Sequence, residues 1–281
     1  MIVVERVAEL RAAIRAWRTA GERIAFVPTM GNLHAGHLRL VQEGRRQASR
    51  VVVSIFVNPL QFGPSEDFER YPRTFEADRS ALDGAQTDLV FVPGVAEMYP
   101  LGQGVARVEV PGLSDILCGA HRPGHFTGVA TVVSILFNQV QPDLALFGEK
   151  DYQQLTIIRR FTAALQLPIE IVGVPTEREP SGLAMSSRNQ YLSADERART
   201  APLLYRRLRE TAAEIGRGRR DFAQLEAEAA TALARAGFAV DYFAIRTPEL
   251  ALPTAETRAF VLLTAARLGA TRLIDNLKQF I

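Results

Sequence analysis

Five short runs constrain this chain more than anything else in it: Ile24–Val27, Val51–Val57, Leu89–Val92, Leu144–Phe147 and Ile169–Val174. Each is apolar at most positions, rich in β-branched residues and too short to be a helix of its own. Between them lie stretches with helical spacing, roughly Ala35–Ser49 (Leu38 and Val41 on one face), Phe75–Leu82, Thr127–Val140 and Tyr152–Leu165. A strand without polar alternation is buried on both faces, and parallel strands need helical crossovers to connect them. The pattern therefore predicts α/β architecture, a doubly wound, Rossmann-like parallel sheet. One more helix precedes it, with Val7, Leu10, Ile14 and Trp17 at helical spacing and Gly21 as its end.

After Pro175 the character changes. At 281 residues the chain exceeds the usual single-domain size, so two domains are expected, 1–175 and 176–281. The second, a smaller α/β domain, opens with the polar stretch Thr176–Asn189. Helices are expected over about Ala194–Ile215 and Phe222–Ala236, then strands at Val240–Ile245, Phe260–Ala265 and around Leu273-Ile274. Arg217-Gly218-Arg219-Arg220 reads as a solvated turn between helices.

Composition excludes several classes. A net charge of only +2 leaves no clustered cations for a nucleic-acid backbone, so no nucleic-acid partner is expected. The apolar runs fall well short of the roughly 18 residues of a membrane span. A lone Cys118 forms no internal disulfide, and Met1–Arg6 reaches charge before a leader could form. A cytoplasmic enzyme is the expectation. Only Lys150 and Lys278 among the 33 basic residues are lysines, and the four histidines fall in two pairs, His34/His37 and His121/His125. Arginine-favouring codons account for the first bias but leave open why Lys150 was kept.

Four segments could carry chemistry. Pro28–His37 joins the first long strand to its helix, at the sheet edge where such folds bind ligands. Gly31 and Gly36 let backbone approach a ligand, and the helix start offers unpaired N–H groups. Their spacing matches a phosphate loop, but His37-Leu38 stands where Lys and Ser/Thr should follow. Gly102-Gln103-Gly104 is no dinucleotide fingerprint either, lacking a third glycine and a preceding strand. His34 and His37 can face one ligand, cap the helix, or join His121 or His125 on zinc; no Cys pair or HExxH pattern supports the last. Phe147–Gln154 ends another strand and can project Lys150 over the same crevice, or form an ordinary Glu–Lys surface pair. Gln153 and Gln154 face different directions at a helix start, so at most one of them is expected to reach a ligand. Ala184–Asn189 offers hydroxyls, amides and Arg188 as an anion clamp, or is plain loop. Asn58–Gly63 places an amide at the end of the second strand.

With these segments in order, the chain closely resembles the pantothenate synthetase (pantoate–β-alanine ligase) family. Val27–Leu38, Val53–Phe62, Tyr71–Thr74, Arg122–Phe126, Phe147–Leu155, Met185–Leu192 and Leu273–Asn276 carry the likeness over nearly the whole chain. His34-Ala35-Gly36-His37 is similar to the wider nucleotidylyltransferase signature. The resemblance implies ATP-dependent ligation of pantoate and β-alanine through pantoyl adenylate, with release of AMP and pyrophosphate, Mg²⁺ on the phosphates, and a homodimer. It implies catalytic roles for His34, His37, Lys150, Ser186, Ser187 and Arg188. ATP would contact Met30, Gly31, Asn32, Leu33, Ala35, Gly36, Gly148, Glu149, Asp151, Glu177 and Met185 as well. Gln61 and Gln154 would orient pantoate, and Val129, Val132 and Val133 would meet its dimethyl group or simply fill helix core. No protein metal ligand is implied. Glu177 stands where relatives often carry an apolar residue, so its side chain must turn outward. Phe62–Arg70 departs from the family in detail. Three other readings stay open: another small-molecule nucleotidylyltransferase, a non-catalytic nucleotide-binding regulator, and a zinc hydrolase.

Overall fold

The computed structural model describes residues 1–64, 68–102 and 106–281. Gln103 and Gly104 of the glycine pair, and Ser65–Asp67 of the Phe62–Arg70 loop, lie outside the described residues. The chain forms two compact units, one of Met1–Glu149 with Ile157–Pro175, the other of Lys150–Thr156 with Thr176–Ile281. This differs from a single cut after residue 175 only at Lys150–Thr156.

In the first unit the order is β1 (Ile2–Val4), α1 (Val7–Thr19), β2 (Ile24–Thr29), α2 (Ala35–Gln47), β3 (Arg50–Ile55), α3 (Phe75–Gly84) and β4 (Leu89–Phe91). Then follow α4 (Val95–Met98), α5 (Cys118–His121), α6 (His125–Val140), β5 (Leu144–Gly148), α7 (Tyr152–Ala164, its first turn in the second unit) and β6 (Glu170–Val174). The strands form one parallel sheet in the order β1-β4-β3-β2-β5-β6. From β2 the chain winds outward through β3 and β4, then returns to β2's other side as β5. That reversal leaves a crevice beyond the carboxyl ends of β2 and β5. Ile24–Val27 and Val51–Val53 are wholly buried, as strands covered on both faces must be. Val41 and Leu40 of α2, with Leu38 partly buried beside them, cover one face.

The amino edge needs acceptors for strand N–H groups that have no ladder partner. Asp143 accepts from Ile24 N at 2.7 Å, and Asp88 from Val51 N at 2.8 Å. The sequence pattern does not anticipate β1. Three residues carry no period, and β1 exists because Ile2–Val4 find Leu89–Phe91 far along the chain.

The second unit contains α8 (Leu203–Gly216), α9 (Phe222–Arg235) and an antiparallel sheet of β7 (Ala239–Arg246), β8 (Ala259–Leu268) and β9 (Thr271–Phe280). Leu204, Leu208 and Ile215 of α8 and Leu225 and Leu233 of α9 share a core with Phe243, Ile245, Phe260 and Leu262. The expected helix over Ala194–Ile215 is broken. Ala201 N reaches back five residues to Glu196 O at 2.8 Å, and Pro202, which has no N–H, ends that wide turn before α8 starts. The third strand is far longer than the Leu273-Ile274 nucleus, because pairing with β8 carries it through the charged and polar positions to Phe280. Among the described residues no helix is long and apolar enough to cross a membrane.

Candidate active site

The turn from β2 into α2 is built by satisfying its own backbone. His34 is the N-cap of α2, in extended conformation, and its Nδ1 accepts from Gly36 N at 3.1 Å. His37, one turn on, accepts from His34 N through its own Nδ1 at 3.3 Å. The two imidazoles thus form a reciprocal capping box, their ring centroids 4.2 Å apart. Capping and ligand-facing roles, alternatives in the sequence, are compatible here. A neutral imidazole that accepts at Nδ1 carries its proton on Nε2. Each ring therefore presents an Nε2–H donor at the positive end of a helix dipole.

Asp78, a residue that sequence reasoning passed over, fixes the preceding turn. Its carboxylate is buried and accepts from Asn32 N at 2.9 Å, Leu33 N at 2.8 Å and Thr74 Oγ1 at 3.1 Å. Gly31 has φ +79°, and a Cβ there would stand 3.0 Å from Asp78 Oδ2 and 3.1 Å from an Ile55 methyl. Glycine is required at that position on both counts. The signal for Asp78 was available: Phe75, Asp78 and Leu82 lie on one helical stripe, and an acid on an apolar face asks for a partner.

Gln61 ends a 3-10 turn, Pro59–Gln61, after β3. Its Oε1 accepts from Asn58 Nδ2 at 3.1 Å, while its Nε2 donates, among the described residues, to the Met30 sulfur at 3.0 Å. A thioether is a weak acceptor, so the amide nitrogen retains strength for a better one. Asn58 is buried, donates also to Gly128 O and accepts from Leu60 N and from Tyr99 Oη at 2.6 Å. Burial pushes the Tyr99 phenol above its usual range, which keeps it a neutral donor. Gly128 lets α6 touch this turn; a Cβ there would lie 2.2 Å from Leu60 O. His125, left without a role by sequence, donates Nδ1–H to Gln61 O at 2.8 Å, and Arg122 Nη1 meets its Nε2 at 2.9 Å. Val129, Val132 and Val133 are buried along α6. Met30–His37, Gln61 and these valines all belong to the first unit, as do Gly148 and Glu149 at the end of β5.

Lys150, Asp151 and Gln154 belong to the second unit. Lys150 Nζ lies 3.6 Å from Asp151 Oδ2. Gln154 is half-exposed while Gln153 is buried, which selects Gln154 as the accessible amide. Glu177 is exposed, its side chain turned outward as required, and its carbonyl accepts from Met185 N at 2.9 Å. Ser186 caps the short 3-10 turn Ser187–Tyr191, with Oγ accepting from Arg188 N at 3.3 Å. Asn189 anchors the loop from beneath through Glu179 Oε1 and Ala184 O. Arg178 grips Asp275 with two bonds of 2.7 and 2.9 Å. Burial pushes the Asp275 carboxyl up; Arg178, and more weakly the Lys150 charge, pull against it.

The family model described as pantoate-beta-alanine ligase matches residues 2–278. The pantothenate synthetase of Methylococcus capsulatus is 56% identical over 278 residues, covering 98% of this chain and 97% of that protein. That of Pseudomonas fluorescens is 57% identical over 279 residues, covering 99% and 98%. Among solved structures, a pantothenate synthetase from Thermus thermophilus superposes with TM-score 0.90 at 51% identity, covering 99% of both chains. The pantoate-beta-alanine ligase of Francisella tularensis, solved with beta-gamma ATP and beta-alanine, gives 0.82 at 32% identity, covering 99% of this chain and 97% of that one.

Asp78→Asn should loosen the Gly31–Leu33 turn, since an amide nitrogen then faces a backbone N–H. A stability loss of about 1–3 kcal/mol is expected for the stranded donor. Faster hydrogen exchange at Asn32 and Leu33 should accompany a lower melting temperature. Unchanged exchange there would mean the turn holds without the carboxylate.

Proposed function

The chain belongs to the pantoate-β-alanine ligase family, and from that premise we propose how its own residues carry the reaction. The enzyme ligates pantoate and β-alanine to pantothenate at the expense of ATP. A pantoate carboxylate oxygen attacks the α-phosphorus, the α–β bond breaks and pyrophosphate departs. The β-alanine amine then attacks the acyl carbon of pantoyl adenylate, and AMP leaves. Membership over the full length removes the wider nucleotidylyltransferase, regulator and zinc-hydrolase readings.

The adenylation step asks for positioning and for neutralisation of charge as it moves onto the leaving group. The observation that carries our assignment is the reciprocal His34–His37 cap. Both rings keep Nδ1 for the backbone and turn an Nε2–H donor to the phosphates, with His37 the proton donor. Met30–His37 line the nucleotide, their backbone brought close by Gly31. Lys150, Ser186, Ser187 and Arg188 hold the growing pyrophosphate charge, with Gly148, Glu149, Asp151, Glu177 and Met185 as further ATP contacts. Gln61 offers its amide nitrogen to pantoate, Gln154 a second amide, and Val129, Val132 and Val133 an apolar wall for the dimethyl group.

Mg²⁺ belongs to the same proposal, where it would supply charge neutralisation on the phosphates. Among the described residues no three His, Cys, Asp or Glu side chains form a cage. We place the enzyme in the cytoplasm as a homodimer; sedimentation at about 31 kDa, the mass of one chain, would remove the dimer.

Labelled pyrophosphate should exchange into ATP when pantoate is present and β-alanine absent. Exchange only with β-alanine would favour a concerted route over a free adenylate. His37→Ala should lower the exchange rate by about 10²–10³ while changing the KM for ATP little, because its bond strengthens as charge develops. A change confined to KM would reduce His37 to ground-state binding.

A further inference from the structure

Lys150 is held in the second unit by its main chain. Its carbonyl oxygen accepts from Asn276 Nδ2 at 2.8 Å, a contact between residues 126 positions apart. Asn276 and Asp275 are neighbours on β9 and both are buried. Successive strand residues face opposite sides, so two adjacent buried polar groups cost stability unless each is satisfied. The Asp275 partner is Arg178, which grips both carboxylate oxygens, donates to Gly182 O at 3.1 Å and Asn276 O at 3.3 Å, and lies 3.5 Å over the Tyr205 ring. Asp275 Oδ1 in turn accepts from Asn276 N at 2.8 Å. The backbone of Asn276 is thus held through both its N–H and its carbonyl, and its side chain reaches out from that fixed base to Lys150.

The strand itself does not call for these polar groups. Leu273 and Leu277 on either side pack into the apolar core of the unit. Lys150, by contrast, sits in the three-residue 3-10 turn Glu149–Asp151, between the end of β5 and the start of α7. An ammonium on a flexible four-carbon stem gains precision only from a fixed Cα.

We infer that Asn276, braced by the Arg178–Asp275 pair, is a positioning residue for Lys150 in the adenylation step. It fixes the main chain from which the ammonium reaches the phosphates. The inference rests on the reading of Lys150 as a phosphate ligand, and a double-mutant cycle separates the two. The readout is pantoate-dependent pyrophosphate exchange at saturating ATP, for wild type, Asn276→Ala, Lys150→Ala and the double variant. Asn276→Ala should lower exchange about ten- to a hundredfold, the cost of an ångström-scale misplacement, with the KM for pantoate unchanged. In the Lys150→Ala background the same change should cost less than about twofold, because the group it positions is gone. Asn276→Ser, whose side chain is too short to reach the carbonyl, should repeat both results if the alanine variant folds poorly. Equal losses in both backgrounds, or no loss in either, would overturn the positioning role. Wild-type exchange in Lys150→Ala alone would instead overturn the phosphate-ligand reading.

Discussion

A parallel sheet buried on both faces leaves its polar main chain only one outlet, the edge where strands hand over to helices. Hydrogen bonds satisfy the backbone within the sheet, and helices cover each face. Groups that cannot be paired collect at strand ends and helix starts. At the amino edge, Asp143 closes off the first N–H of β2, and Asp88 the N–H of Val51, second in β3. The carboxyl edge is handled differently. There the turn after β2 is tied by Asp78 from α3 and the helix start is capped by histidines. The site follows from that accounting: what the backbone needs for closure also orients the donors.

The histidine pair shows how one residue type meets both demands. A Ser or Asp would cap α2 as well. Neither would leave an N–H donor on a second ring nitrogen beyond the cap, as a neutral imidazole does. Gln61 works on the same principle, with one end of the amide occupied by Asn58 and the other resting on a weak sulfur acceptor. Behind it lie Tyr99, a buried asparagine and a glycine that admits α6 to contact. Each of these supports helps decide where the amide points.

In the second unit, β9 connects structure to chemistry. Pairing with β8 fixes its register over ten residues, and that register sets Asp275 against Arg178 and Asn276 against the Lys150 carbonyl. The guanidinium of Arg178 is suited to the task by its planar fork and its ability to lie flat on Tyr205. The preference for arginine across this chain does not extend to position 150, where the proposed role asks for a compact charge able to follow phosphate oxygens.

Local pattern determined the doubly wound sheet, the glycine-bearing turn and both histidines. Apolar runs without alternation have one stable use, and Gly31 and the His34–His37 spacing are readable within ten residues. The order of strands, the three-residue β1 and the full length of β9 were decided by pairing between distant segments, which no local period encodes. Tertiary contact also chose among readings that sequence left open. It made Gln154 rather than Gln153 the accessible amide, gave His125 a partner in the Gln61 carbonyl, and broke the helix before Pro202. Asp78 and Asn276 belong to this second group, because a polar side chain in an apolar stripe announces a need for a partner but not its identity. That identity is a distance between remote atoms, and only the folded chain sets it.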